Sequence, residues 1–228
     1  MAQAWNFAGV VFATVMPAAP LPSSRALAVL GVLAAPYLLN DLANIYVRAP
    51  AAWLACDYGS RVVSLGGIAW LLRRGTLERS DLQVQLAPLA RLVAATLGAT
   101  LLGLWFDQGP GRPLVHWLPQ TQLGAVPFIR PPWLHELDYF AGLAFVAATE
   151  ELVFRGIFPR VITRAGGSAG QAWAVSAVAF GLAHWSLGVG AMVHAAALGL
   201  LLGAAARLGR SVWPAVVAHY AIDLAAFG

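Results

Sequence analysis

The chain has no lysine, one cysteine and few charges of either sign. Its fourteen basic residues are all arginine, its acidic residues number ten, and charged residues make up only 11% of the 228. A soluble domain usually carries about a quarter, so this composition argues against an ordinary water-soluble fold. A lone Cys56 excludes an intrachain disulfide and any multi-cysteine metal site. No basic residue precedes Arg25, so no cleavable signal stands out, and the first apolar stretch reads instead as a helix.

What the chain has in abundance is apolar sequence. Sixty per cent of its residues are hydrophobic and its mean hydropathy is +0.71. Runs approaching the ~20 residues that cross a bilayer recur along its length. They predict helices near Asn6–Ala19, Ala26–Val47, Trp53–Leu72, Pro88–Phe106, Leu137–Phe158, Gln171–Leu187, Ala191–Ala206 and Val212–Phe227. The expected fold is therefore all-α, a polytopic transmembrane bundle of seven or eight helices. Residues 1–136 would supply N-terminal helices and a long loop, and residues 137–228 a second helical bundle. The loop, Asp107 to Trp133, carries six prolines and two tryptophans and reads as irregular, lying partly at the interface.

A pI near 9.8 raises the thought of nucleic acid, but the basic excess is only +4. The arginines cluster in alternate connections: Arg73, Arg74 and Arg79; Arg160 and Arg164; Arg207 and Arg210. That pattern sets membrane topology. It predicts those connections on the cytoplasmic side and no nucleic-acid partner. Gly199 and Gly203, in "GLLLG", predict close helix packing in lipid.

Against this background the remaining charges need explaining, because ionisable groups in a membrane are costly and tend to face a bundle interior. "AATEELVFRG" places Glu150, Glu151 and Arg155 in one apolar helix. Glu151 and Arg155, four apart with the acid first, can pair. Glu150 lies about 100° further round and needs a partner from another helix. "FGLAHW" places His184 late in the next helix, and "HYAID" puts His219 and Asp223 on one face of the last. Such a set could activate water for hydrolysis, or could equally offer zinc a carboxylate and two imidazoles. Asn40, Asp41 and Asn44 form a further polar patch, and Asp57 with Arg61 a possible i,i+4 pair. These groups could line a substrate path or hydrogen-bond between helices. His194 reads as packing or pore-lining.

"EELVFR" fits EExxxR, "FGLAH" fits FxxxH and "HYAID" fits HxxxN/D. In this order the three motifs resemble those of the CPBP intramembrane proteases, also called the CAAX protease or Abi family. The resemblance spans roughly Leu137 to Phe227. It implies a glutamate-dependent endopeptidase acting on membrane-anchored peptide or protein substrates within a lipid bilayer, here a bacterial-type inner membrane. Carried over by position, Glu150 is the catalytic glutamate, His184 helps it activate water, and His219 stabilises the oxyanion. Asp223 ends the last motif, while Glu151 and Arg155 support the site as an ion pair. The prenyl-protease branch has asparagine at the position of Asp223. Asparagine can donate to an oxyanion and ionised aspartate cannot, so Asp223 must be protonated, orient His219 or bind metal.

Other protease signatures are missing. HExxH and GxGD do not occur, and Ala169 breaks the GxSG of rhomboids. "GGSAG" satisfies G-x-S-x-G, but that motif requires a strand before its serine. A predicted helix precedes Ser168, so no serine nucleophile is expected. No cofactor is expected, with zinc held by Glu150, His184, His219 and Asp223 as one alternative. A non-proteolytic scaffold or immunity protein, and a proton-coupled transporter, are the others.

Overall fold

The computed structural model describes residues 19–228 apart from 119, 120 and 130. The described residues contain no strand. Helix α1 spans Ser23–Tyr46, α2 Pro50–Arg73, α3 Leu89–Gln108, and the short α4 Gly111–Trp117. The next rod is built from α5 Pro132–Leu137, α6 Leu143–Glu151 and α7 Phe158–Arg164. These are joined end to end by π-helical turns at Asp138–Gly142 and Leu152–Ile157. Helices α8 Ala169–Leu182, α9 Val189–Gly209 and α10 Trp213–Phe227 complete the bundle. Counting the jointed rod once, the all-α expectation of seven or eight helices holds. The expected segment Asn6–Ala19 lies, but for its last residue, outside the described residues.

The outward faces are apolar. On α3, Leu101 and Trp105 are each 67% exposed, and α1, α3 and α9 are long and apolar enough to cross a membrane. Large contiguous apolar surface is rare on a soluble monomer. In this chain that surface is the lipid-facing side of a membrane protein.

Two departures from the expected segments matter for the site. The rod at residues 132–164 is not a plain α-helix, and Pro159 explains its second joint. Proline has no N–H to give the carbonyl four residues back, and its ring clashes with it. The carbonyls left without ordinary partners find others. Gln83 Nε2 donates to the carbonyls of Gly156 at 3.0 Å and Arg155 at 3.4 Å, and the Ser176 hydroxyl donates to that of Phe154. The second departure is at α8, which ends at Leu182. His184 therefore stands just beyond the helix, ahead of a 3₁₀ turn at Trp185–Leu187, rather than late within it as the sequence predicts.

The three arginine clusters gather at one end of the bundle. Buried Asp81, in the 3₁₀ turn Arg79–Leu82, accepts from Arg164 at 2.5 Å and lies 4.0 Å from Arg160. The stretch at residues 83–85 then straps this end. Val212 N–H donates to the Gln83 carbonyl at 2.9 Å, Gln85 Nε2 to that of Arg210 at 2.8 Å, and Trp213 Nε1 to that of Val84 at 3.0 Å.

The glycines of "GLLLG" do allow close packing, but what they admit is side chains as well as helix backbone. A Cβ on Gly199 would lie 3.1 Å from Arg155 Nη2 and 3.3 Å from Ala177 Cα, and one on Gly203 would lie 2.6 Å from the Trp173 ring. Ser168 caps α8. Its Oγ accepts from Gln171 N–H at 3.2 Å, and Gln171 Oε1 accepts from the Ser168 N–H at 2.7 Å. This reciprocal capping box accounts for the serine of "GGSAG".

Candidate active site

The polar residues singled out in the sequence meet at a cavity of about 740 Å³ inside the bundle. Its wall includes Glu150 from α6, His184, and His219 and Asp223 from α10, with Asp57 and Arg61 from α2. Apolar residues complete the wall, with Val126, Phe128, Ile129 and Val146 among them.

Glu150 is not alone. Its Oε1 accepts from Arg61 Nη2 at 2.8 Å, which supplies the partner from another helix that the sequence required. Arg61 Nη1 in turn donates to Asp57 Oδ1 at 2.6 Å, and Asn40 Nδ2 donates to the same oxygen at 2.8 Å. The other carboxylate oxygen, Oε2, lies 4.0 Å from His219 Nε2. Sequence reasoning found Asp57 and Arg61 as a local pair but missed the link to Glu150. An arginine in the middle of an apolar run was the available signal, since such a charge must meet an acid somewhere.

His219 is held from both sides. Its Nδ1 is 2.8 Å from Glu151 Oε1, and its Nε2 is 3.4 Å from Asp223 Oδ2. Each ring nitrogen faces a carboxylate, which can only accept when ionised, so the ring is placed as a donor on both edges. Glu151 also meets Arg155 Nη1 at 3.0 Å as expected. That contact is an ion pair by distance without hydrogen-bond alignment, for none of the Arg155 side-chain nitrogens has a hydrogen-bond partner among the described residues. The guanidinium lies over the Phe180 ring instead, 4.0 Å from its centroid, a favourable cation–π placement when desolvated.

Phe180, the first residue of "FGLAH", joins the three motifs. Its ring meets His184 edge-on at 5.0 Å and His219 at 5.7 Å while its face receives Arg155. His184 Nδ1 lies 2.9 Å from the Phe180 carbonyl. A carbonyl only accepts, so Nδ1 carries the proton and Nε2 is left as the acceptor of the neutral ring.

The turn after His184 is anchored by α1. Asp41 Oδ2 accepts from Ser186 N–H at 2.7 Å, and Asn44 Nδ2 donates to Ser186 Oγ at 2.9 Å. Trp53 Nε1 orients Asn44 with a 2.8 Å bond to its Oδ1. The polar patch of Asn40, Asp41 and Asn44 thus both borders the cavity and hydrogen-bonds between elements. His194 is elsewhere. It stacks on Phe106 and lies 3.4 Å from Asp107, and is not among the residues lining this cavity.

Residues 132–225 match the family model described as Type II CAAX prenyl endopeptidase Rce1-like, over a span containing all three motifs. That segment is similar to the CAAX prenyl endopeptidases. No curated protein and no solved structure matches the chain. The matched segment carries Glu150, His184, His219 and Asp223, all of which line the cavity. Residues before 132, which include Arg61, Asp57 and the α1 patch, fall outside the matched span although they border the same cavity.

Proposed function

We propose that the chain is a metal-independent intramembrane endopeptidase whose base is Glu150. The observation that carries this reading is convergence: Glu150, His184, His219 and Asp223 come from three separate elements to one cavity within a lipid-facing bundle. A water held between Glu150 Oε2 and His184 Nε2 gives a proton to the carboxylate as its oxygen attacks the peptide carbonyl carbon. His219 Nε2–H donates to the oxyanion that forms. Collapse of that intermediate breaks the C–N bond, and the proton taken from water passes to the departing amine.

Zinc is a poor fit to the residues as they stand. Glu150 Oε1 is already engaged by a guanidinium, His219 Nδ1 by Glu151, and no group of three acidic, histidine or cysteine residues among those described is arranged around one point. Arg61 supplies the positive charge beside the carboxylate. Activity should therefore survive a strong chelator; loss restored by added zinc would overturn this part of the proposal.

The proposed substrates are membrane-tethered peptides, whose apolar portion the Val126–Ile129 wall would receive. Prenylated C-terminal tails are one such class, and peptides with a short hydrophobic C-terminal helix are another. The test is purified protein in phospholipid nanodiscs, offered a farnesylated peptide ending in a CAAX sequence and a peptide with an apolar helical tail. Cleavage of either by wild type, absent in Glu150→Gln and reduced in His184→Ala, is the expected result. Cleavage of neither, or equal cleavage by Glu150→Gln, would overturn the function.

A further inference from the structure

We propose that Arg61, a residue outside the family-matched span, is a positioning residue for hydrolysis that fixes the orientation of the Glu150 carboxylate. The inference rests on Glu150 being the base. Arg61 is 6% exposed and sits on α2, 89 residues earlier in the chain than its partner.

The geometry is one-sided. The terminal torsion of a glutamate is broad and roughly two-fold, so an unheld carboxylate presents either oxygen over a wide range of angles. Here Nη2 takes Oε1 at 2.8 Å, and Oε2 is left facing His219. A carboxylate gripped by one oxygen offers the other in a defined direction, which is what proton abstraction from a positioned water needs.

Arg61 is itself braced. Its other terminal nitrogen donates both to the Asp57 carboxylate, at 2.6 Å, and to the Asp57 carbonyl, at 2.8 Å. Asn40 on α1 donates to the same Asp57 carboxylate oxygen at 2.8 Å. A chain of side chains from α1 through α2 therefore ends on the proposed base. The planar fork of arginine suits this double task, and the ammonium of lysine cannot reproduce it. Arg155 cannot substitute, because Gly199 and Phe180 pack against its guanidinium on the far side of Glu151.

The test uses the full chain in nanodiscs and whichever of the two peptides wild type cleaves, with rates expressed per folded molecule. Arg61→Ala should lower kcat about 10- to 100-fold, as removal of an outer orienting partner does, with KM within about threefold. Methylguanidinium added to Arg61→Ala should restore at least about a tenth of the lost rate, and should not rescue Glu150→Gln. Arg61→Lys should lose about tenfold in kcat at unchanged KM, and this variant decides the matter if the alanine variant fails to fold. Asp57→Asn, which loosens the brace, should show a smaller loss of the same kind. A purely structural ion pair predicts less folded protein but wild-type kcat and no rescue, and wild-type kcat in both Arg61→Lys and Asp57→Asn would overturn the proposal. Full activity in Glu150→Gln is a separate failure, that of the base assignment itself.

Discussion

Two buried arginine–glutamate pairs lie side by side in this molecule, and they differ in almost every respect but composition. Arg155 and Glu151 are neighbours on one rod, their side chains 1% and 0% exposed. Among the described residues Arg155 makes no second ion pair, and its guanidinium packs on the Phe180 face and beside Gly199. Arg61 and Glu150 come from different helices, their side chains 7% and 10% exposed on the cavity wall. Arg61 also keeps Asp57 at 2.6 Å. The first pair is local, fully buried and tied to His219 through Glu151. The second borders a polar space and belongs to a chain of partners. A buried pair becomes fragile when one member is removed, because the survivor is left as an uncompensated charge. By that rule the two sites should fail in opposite ways.

The largest expected effect is on chemistry at the bordering pair. Glu150→Gln should reduce peptide cleavage by about two to four orders of magnitude yet leave a foldable protein, since Arg61 retains Asp57. Thermal unfolding in nanodiscs close to that of wild type, with cleavage near background, is the expected combination. A variant that cleaves normally would dissolve the distinction.

Next comes stability at the fully buried pair. Arg155→Ala should cost about 3–5 kcal/mol, because Glu151 Oε2 already has no hydrogen-bond partner among the described residues and Oε1 would keep His219 but lose the guanidinium. The amount of folded protein recovered in detergent reads this out directly. If Arg155→Ala were as stable as Glu150→Gln, the contrast between the pairs would be wrong.

A smaller effect is expected at Asp223, which touches His219 across a loose 3.4 Å. Asp223→Asn keeps the shape and supplies a donor, so its rate should stay within about tenfold of wild type, well short of the loss of about 10²-fold or more that follows removal of an oxyanion donor. Near-total loss in folded protein would show that the site needs an anion there. Smallest of all, Ser168→Ala should cost about 1 kcal/mol through its helix cap and leave cleavage per folded molecule intact. Abolished cleavage would restore Ser168 as a nucleophile.

The same contrast marks how far the sequence could be read. Glu151 with Arg155 follows from four-residue spacing alone, and the helices follow from hydropathy, so both are legible without coordinates. His219 and Asp223 share a face for the same reason. Arg61 with Glu150 is legible only as two separate needs, a buried acid and a buried base each requiring a partner. Which partner each finds depends on how α2 lies against α6, and no spacing rule reaches across 89 residues. The short end of α8 was hidden as well, because "FGLAHW" stays apolar through the residue where the helix stops. The π turn had a visible cause in Pro159. Its consequence, carbonyls taken up by Gln83 and Ser176, depends on tertiary neighbours.

The strap at residues 83–85 joins the jointed rod to the root of α10 at one end of the bundle. Gln83 grips the jointed rod through its Gly156 carbonyl and receives the Val212 N–H at the root of α10. The rod bearing Glu150 and the helix bearing His219 are thereby riveted together below the cavity and cannot slide past each other without shearing those bonds. At the opposite end the covering is a loop, residues 121–129, tied to the Ser186 carbonyl by the N–H groups of Leu123 and Gly124 and to that of Asn44 by Ala125. Val126, Phe128 and Ile129 of that loop line the cavity. The bundle is thus cross-tied by side chains at its arginine-rich end and roofed by a backbone-tied loop at the other.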